Sequence, residues 1–175
     1  ECRELNDVTQ GIQIVLHHHT QPGDGVVVYQ PSYPPFLHSV EDAGRRIVPV
    51  VGRRTTASST GWEFPLDEFE AAVVAERPKV FLMCHPHNPT GHVYTDDELR
   101  GIAAIAERHD LLVISDEVYE HLVFDGLAHR SMAEYPDAKR AQTDFFTLWF
   151  LGTRMSWMAL EPITEIGRAS CRERV

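Results

Sequence analysis

The sequence has few cysteines, only two lysines and no long hydrophobic run. Its three cysteines, Cys2, Cys84 and Cys171, are widely separated, which argues against a disulfide framework and favours a reducing compartment. No apolar run approaches the roughly 20 residues that a membrane-spanning helix needs, and no secretory signal peptide opens the chain. We therefore expect a cytoplasmic protein without a membrane anchor.

Acidic residues also outnumber basic ones, with 26 Asp and Glu against 16 Lys and Arg, so the formal net charge is -10. An acidic balance argues against nucleic acid or an anionic membrane as the main partner. The 175 residues include 43% hydrophobic and 24% charged positions, which is ordinary for a globular protein. The chain is long enough for one domain with a sizeable core.

The two ends suggest a fragment of a longer protein. The sequence begins with Glu1 rather than with methionine, and it does so within a domain-like pattern. Residues 165–175, EIGRASCRERV, are similar to one reading frame of a DNA-sequencing adapter. We expect this segment to be a non-native tail, the alternative being a genuine basic tail.

Apolar runs alternate with amphipathic stretches along the chain. The predicted strands are residues 26–29, 47–51, 79–84, 111–115 and 145–150. The predicted helices are residues 7–20, 34–44, 66–76 and 95–109. Residues 52–62 are predicted to be a polar loop. This alternation predicts an α/β fold with a mostly parallel sheet flanked by helices.

Three polar clusters follow predicted strands. QPSYPPF begins at Gln30, HPHNPTG begins at His85, and DEVY begins at Asp116. In open α/β sheets, ligands bind at the carboxyl ends of the strands. The three clusters therefore predict one common ligand site.

Asp116 and Tyr119 are the first candidates for that site. A carboxylate at a buried strand end is costly unless a cation pairs with it, and a protonated pyridine nitrogen would be a suitable cation. Tyr119 follows three residues later, so one turn could bring its hydroxyl to the same ligand. The alternative is that Asp116 caps a helix and Tyr119 packs in the core.

Asn88, Tyr33, Val8 and Thr9 are the remaining candidates. Asn88 lies between Pro86 and Pro89, which stiffen its loop. Tyr33 lies on a proline-rich loop and could offer its ring to a flat ligand. Val8 and Thr9 follow Asp7 at a helix start, where free N–H groups suit a phosphate. An Asn-Pro turn, a core aromatic and a plain helix cap are the respective alternatives.

Other kinds of site find little support. The histidines at 17–19 are adjacent on a helix and point to different faces, so they make a poor metal site. His85 and His87 have no second ligand cluster to join, and Cys84 ends a buried strand. The glycine-rich signatures of nucleotide binding and the nucleophilic serine elbow are both absent.

Taken together, these motifs resemble the class I/II aminotransferases, which are fold-type-I enzymes that use pyridoxal 5'-phosphate (PLP). The resemblance covers about residues 7–130. It rests on PGDGVVV, PSYPPF, PHNPTG, TDDELRGIAAIAERHD and LLVISDEVYEHLVF in the family's order and near its spacing. Residues 1–164 would then be part of a large PLP-binding domain, within which we interpret residues 144–164 as truncated or frame-shifted.

The resemblance implies a role for each candidate. Asp116 would pair with the pyridinium nitrogen, and Asn88 and Tyr119 would hydrogen-bond the phenolic oxygen of PLP. Tyr33 would stack on the ring. Val8 and Thr9 would lie in the phosphate-binding turn. Family members act on amino acids and are usually homodimers, which we expect of the full-length protein.

Two activities remain open within the family. PGDGVVV with Tyr-Pro-Pro-Phe is similar to the cystathionine β-lyase-like branch (the MalY/PatB type), whereas DEVY is more typical of true aminotransferases. We favour the C–S β-lyase, with the aminotransferase as the alternative. A PLP-binding regulatory domain of a transcription regulator is a further possibility from another class.

One departure from the family pattern concerns lysine. The resemblance implies a Ser-x-x-Lys near position 151, whose lysine forms the Schiff base with PLP. This chain has only Lys79, at the opposite end of a strand, and Lys139, in DAKRAQ. We therefore predict that the chain as given is inactive.

Overall fold

The computed structural model describes residues 2–5, 8–135, 145–150 and 156–159. Side chains are described for 8–135. The strands are β1 (Cys2–Leu5), β2 (Gly25–Gln30), β3 (Arg46–Val51), β4 (Arg53–Arg54), β5 (Trp62–Glu63), β6 (Val80–Cys84), β7 (Leu112–Asp116), β8 (Phe145–Phe150) and β9 (Ser156–Ala159). The helices are α1 (Val8–His19), α2 (Pro34–Asp42), α3 (Leu66–Glu76) and α4 (Asp96–Arg108), followed by a 3₁₀ turn, Met132–Glu134.

Seven strands form the main sheet in the order β1-β9-β8-β7-β6-β2-β3. The pairings among β3, β2, β6, β7 and β8 are parallel, and β9 is antiparallel to both β1 and β8. The predicted α/β fold with a mostly parallel sheet is confirmed. In the described residues no helix is long and apolar enough to cross a membrane.

The central strands β2, β6 and β7 are buried on both faces of the sheet, to which successive side chains point alternately. On one face Val26, Val28, Leu82 and Ile114 pack against α1 and α2. On the other face the side chains of β2, β6 and β7 pack against α3 and α4. This explains why the central strands read as continuous apolar runs rather than as alternating ones.

The helix and strand predictions hold to within a few residues, but strands β1 and β9 were not predicted, and one predicted loop contains a hairpin. Residues 52–62 were expected to be a loop, but Arg53–Arg54 pairs with Trp62–Glu63 in a small antiparallel hairpin. The Arg54 guanidinium lies over the Trp62 ring at 5.1 Å, which helps to hold this short pair together. Pro49 is accommodated because β3 is an edge strand of the main sheet within the described residues.

Residues 136–144, 151–155 and 160–175 lie outside the described ranges. They contain Lys139, position 151 and the adapter-like tail. Asp7, the predicted cap of α1, also lies outside, whereas α1 itself forms over Val8–His19 as expected.

Candidate functional site

The three predicted polar clusters lie at one edge of the sheet. β2, β6 and β7 are neighbours and end at Gln30, Cys84 and Asp116. Cys84 is the ladder partner of Asp116, so the HPHNPTG loop and the DEVY turn leave the sheet side by side. The expectation of one common edge is therefore met by the geometry.

Asp116 is a buried carboxyl at the end of β7. It is 5% exposed, and its Oδ1 accepts a 3.1 Å hydrogen bond from the backbone nitrogen of Val118. Burial raises the pKa of Asp116 to about 7, and the charge of Glu117 adds to the rise. No ion pair found among residues 8–135 includes Asp116. A cationic ligand would supply what this carboxyl lacks.

The chain turns after Asp116 instead of forming a helix. Glu120 N donates to Glu117 O at 2.9 Å, and Leu122 N donates to Tyr119 O at 2.8 Å. The alternative that Asp116 caps a helix is therefore wrong, since its side chain receives the N–H of a turn. The turn places Tyr119 three residues beyond the carboxyl.

Asn88 and Tyr119 meet across the two loops. The Asn88 amide nitrogen (Nδ2) donates to the Tyr119 hydroxyl at 3.5 Å. Both side chains are half-buried, and burial raises the pKa of the Tyr119 phenol above its usual value. The Asn88 loop contains cis peptide bonds before Pro86 and Pro89, and Gly91 has a φ of 72°, which suits a residue without a Cβ.

Tyr33 lies just before α2, in extended backbone. Its ring is 41% exposed and contacts Phe36 edge-on, with ring centroids 5.9 Å apart. The alternative of a core aromatic is therefore wrong. The Tyr33 phenol lies close enough to Tyr119 to contribute to the raised pKa of the Tyr119 phenol, so the two aromatic residues share this edge of the sheet.

Val8 and Thr9 form the first turn of α1 and are half-buried. Val8 packs against the hydrophobic cluster that contains Cys84 and Ile114, and Tyr119 packs against the same cluster. The start of α1 thus lies on the same face of the sheet as Tyr119.

A cavity of about 400 Å³ opens beside the two loops. Asn88 and Tyr119 contribute to its wall, together with Thr60 from the β4–β5 hairpin segment. Leu122 and Phe124 line another part and are 56% and 70% exposed. Asp116 and Tyr33 do not line it, so the cavity adjoins the candidate site rather than coinciding with it.

Three residues of the CHPHNPTG stretch, Cys84, His85 and His87, are buried structural residues. Cys84 is 4% exposed, and burial raises the pKa of its thiol, as expected for an inert core residue. Burial lowers the pKa of His85 to about 4 and that of His87 to about 3. His87 Nδ1 lies 2.8 Å from Thr90 Oγ1 within its own loop.

Glu117, which no sequence pattern singled out, is fully buried. Its carboxylate accepts hydrogen bonds from the Ser115 hydroxyl and the Met132 backbone nitrogen, and it pairs with His129. The available signal was the position of Glu117 just after the buried strand LLVIS, where a second carboxylate needs its own donors. The donors themselves come from residues 129–132, whose position the sequence does not reveal.

Comparison with known proteins identifies the family. The family profile described as aminotransferase class I and II matches residues 5–148, and the chain therefore belongs to that family, whose enzymes depend on PLP.

Relatives of two kinds are about equally similar to the chain. A putative cystathionine β-lyase of Mycobacterium tuberculosis is 37% identical over 142 residues, covering 77% of this chain and 33% of that protein. Kynurenine–oxoglutarate transaminase 3 of Rattus norvegicus is 38% identical over 120 residues, covering 66% and 26%. The chain thus spans about a third of the length of the curated relatives that it matches.

Solved structures share the fold. Cystalysin from Treponema denticola, whose crystal structure contains a PLP cofactor, superposes with a TM-score of 0.80 at 24% identity. The alignment covers 93% of this chain and 42% of cystalysin. This confirms a partial domain of the fold-type-I architecture.

Proposed function

We propose that this chain is the PLP-binding part of an enzyme that acts on amino acids. The observation that carries the proposal is the buried carboxyl of Asp116, which has no cationic partner among residues 8–135, at the sheet edge where Asn88 and Tyr119 meet. Membership of the aminotransferase class I and II family supports the same assignment.

The residues at this edge fit the chemistry of PLP. Asp116 would accept a hydrogen bond from the protonated pyridine nitrogen, whose positive charge would stabilise the buried carboxylate. Asn88 and Tyr119 would donate to the phenolic oxygen. Tyr33 would cover a ring face, and Val8 and Thr9 would offer backbone N–H groups to the phosphate. When bound, PLP supplies an electron sink for a carbanion at the substrate α-carbon.

We propose C–S β-lyase activity for the full-length protein, with an aminotransferase as the second candidate. The PGDGVVV and Tyr-Pro-Pro-Phe motifs favour the lyase, and the transaminase relative supports the alternative. The test is to assay the full-length protein with cystathionine alone and with an amino acid plus 2-oxoglutarate. Pyruvate and ammonia without an acceptor would support the lyase, whereas dependence on the oxo acid would support the aminotransferase.

Binding can be tested on the chain itself. Pyridoxine 5'-phosphate has the ring nitrogen, the phenolic oxygen and the phosphate of PLP but no aldehyde, so it forms no adduct with surface lysines. We expect it to bind, and we expect Asp116→Asn to weaken binding about tenfold through loss of one charge-assisted pair. The matched control is Asp97→Asn, on the exposed first turn of α4. Absence of binding, or equal effects of both variants, would contradict the proposal.

The predicted inactivity of the chain is also part of the proposal. Lys79 precedes β6 and lies at the opposite end of that strand from Cys84, the ladder partner of Asp116. We expect borohydride treatment with PLP to leave no cofactor fixed at a unique site in the 175-residue chain. A single stoichiometric lysine adduct, located by mass spectrometry, would contradict this. The homodimeric state of the full-length protein, its cytoplasmic location and the lack of a nucleic-acid partner remain predictions.

A further inference from the structure

Both carboxylate oxygens of Glu117 have hydrogen-bond partners, although the side chain is fully buried. Its Oε1 accepts from the Ser115 hydroxyl and from the Met132 backbone nitrogen, both at 2.9 Å. Its Oε2 lies 3.1 Å from Nε2 of His129. A buried carboxylate is tolerated only with such a set of donors, so the local structure is built around this side chain.

This side chain lies at the start of the turn that carries Tyr119. Consecutive side chains at a strand end point to opposite sides, so Asp116 and Glu117 face different surroundings. The Glu117 carbonyl accepts from Glu120 N at 2.9 Å, which closes the turn. Holding the Glu117 side chain therefore restrains the backbone on which both Asp116 and Tyr119 depend.

His129 connects the same carboxylate to the loop of Asn88. The rings of His129 and His85 have centroids 4.3 Å apart. His85 Nε2 also lies 3.0 Å from the carbonyl oxygen of Arg130. The segment around His129 thus contacts the β6 loop through His85 and the β7 turn through Glu117.

We propose that Glu117, held by His129 and Ser115, is a positioning residue that sets Asp116 and Tyr119 against Asn88 for binding of the pyridine ring. This inference rests on the proposed function, because it assigns Glu117 to the same PLP site. Glu117 does not touch the ring in this arrangement. Its effect reaches the ring through the turn at residues 117–120.

The variant that tests this is Glu117→Gln, which keeps the shape of the side chain. The amide oxygen can still accept from Ser115 and Met132, but the charge that strengthens these bonds is lost. His129→Gln is a second variant that leaves Glu117 in place. The matched control is Glu70→Gln, because Glu70 also pairs with a histidine, His109 Nε2 at 2.8 Å, between α3 and α4 and away from the site.

Two ligands separate positioning from a general loss of structure. Pyridoxine 5'-phosphate has the ring nitrogen and the phenolic oxygen, whereas benzyl phosphate lacks both and keeps the ring and the phosphate. We expect Glu117→Gln and His129→Gln to weaken the binding of pyridoxine 5'-phosphate about fivefold. The affinity for benzyl phosphate should change by less than about twofold. Equal losses for both ligands, or no loss for either, would overturn the inference.

Amide hydrogen exchange decides the question without any ligand. We expect Glu117→Gln to accelerate exchange at Val118, Glu120 and Leu122 about fivefold, with no change in Glu70→Gln. Unchanged protection of this turn would overturn the inference. If the unsubstituted chain binds no pyridoxine 5'-phosphate, the proposed function fails, and the exchange result still decides whether Glu117 holds the turn.

Discussion

The backbone nitrogen of His85 donates a 2.8 Å hydrogen bond to the carbonyl oxygen of Asp116. Because Cys84 and Asp116 are ladder partners, this bond continues the β6–β7 pairing just beyond β6. Asn88 follows His85 by three residues and Tyr119 follows Asp116 by three. The two side chains therefore arrive at the same place, with 3.5 Å between amide nitrogen and hydroxyl.

Asn88→Ala and Tyr119→Phe should each weaken binding of pyridoxine 5'-phosphate about tenfold, since each removes a donor to the phenolic oxygen. The double variant should lose less than the product of the two, because residues in contact are not additive. Isothermal titration of all four proteins measures the coupling.

Tyr135→Phe is the control for Tyr119→Phe. Tyr135 donates to Asp96 at 2.8 Å, at the start of α4. The Tyr135→Phe variant should leave the affinity for pyridoxine 5'-phosphate unchanged. Strictly additive losses for Asn88 and Tyr119 would contradict a shared contact to one ligand oxygen.

Asp116 should make the ligand-free chain less stable as the pH rises. The pKa of Asp116 in the folded state, about 7, lies above the usual value of 3.8. The unfolded state therefore releases this proton at a lower pH than the folded state does. Stability from this group is present below about pH 4 and is lost as the pH approaches 7. Relative to Asp116→Asn, the unsubstituted chain should lose on the order of 2 kcal/mol between pH 5 and pH 8.

Urea unfolding of both proteins at the two pH values measures this difference, because contributions of other groups cancel in the comparison. Saturating pyridoxine 5'-phosphate should reduce the loss of stability between pH 5 and pH 8, since the pyridinium charge favours the ionised carboxylate of Asp116. A difference that stays constant from pH 5 to pH 8 would contradict the raised pKa of Asp116.

Local patterns predicted much of the fold. The capping box at Thr95 and the buried stripe of α4 are confirmed, because both depend on neighbours within one helix. The shared edge of Asp116, Asn88 and Tyr119 was also predictable, since parallel strands present their carboxyl ends together.

Two parts of the structure could not be predicted, one because it depends on contacts distant in sequence and one because its strands are very short. Nothing in ISDEVY shows that Met132 and His129 supply the donors for Glu117. The hairpin within residues 52–62 was missed because its strands have only two residues each, too few to produce a period. The hydrogen bonds to Glu117, in contrast, follow from the assembled fold and not from local propensity.

Thr95→Ala should destabilise the chain by about 1 kcal/mol, the usual cost of losing a helix cap. Thr95 Oγ1 accepts from Glu98 N at 3.2 Å, and Glu98 Oε2 accepts from Thr95 N at 2.7 Å. Thr56→Ala, at an exposed position, is the control and should change stability by less than about 0.5 kcal/mol. Equal unfolding midpoints for the two variants would contradict a stabilising cap.

Arg45→Leu should be more damaging, at about 2–4 kcal/mol, because Arg45 is only 7% exposed and satisfies the end of α1. Its guanidinium donates to Leu16 O at 3.1 Å and to Thr20 O at 2.7 Å. Leucine fills much of the space but leaves the buried Thr20 carbonyl without its Arg45 donor, whereas Leu16 O still accepts from the Thr20 backbone nitrogen. The loss is therefore one of hydrogen bonding more than of packing.

The neighbouring Arg46 provides the control. Arg46 pairs with Glu76 at 2.7 Å, but both side chains are about half exposed, at 48% and 49%, so Arg46→Ala should cost less than about 1 kcal/mol. Urea unfolding at neutral pH compares the two variants in the same strand-end setting. If Arg46→Ala proved as destabilising as Arg45→Leu, the stability of this corner would come from the surface ion pair and not from the buried guanidinium that closes α1.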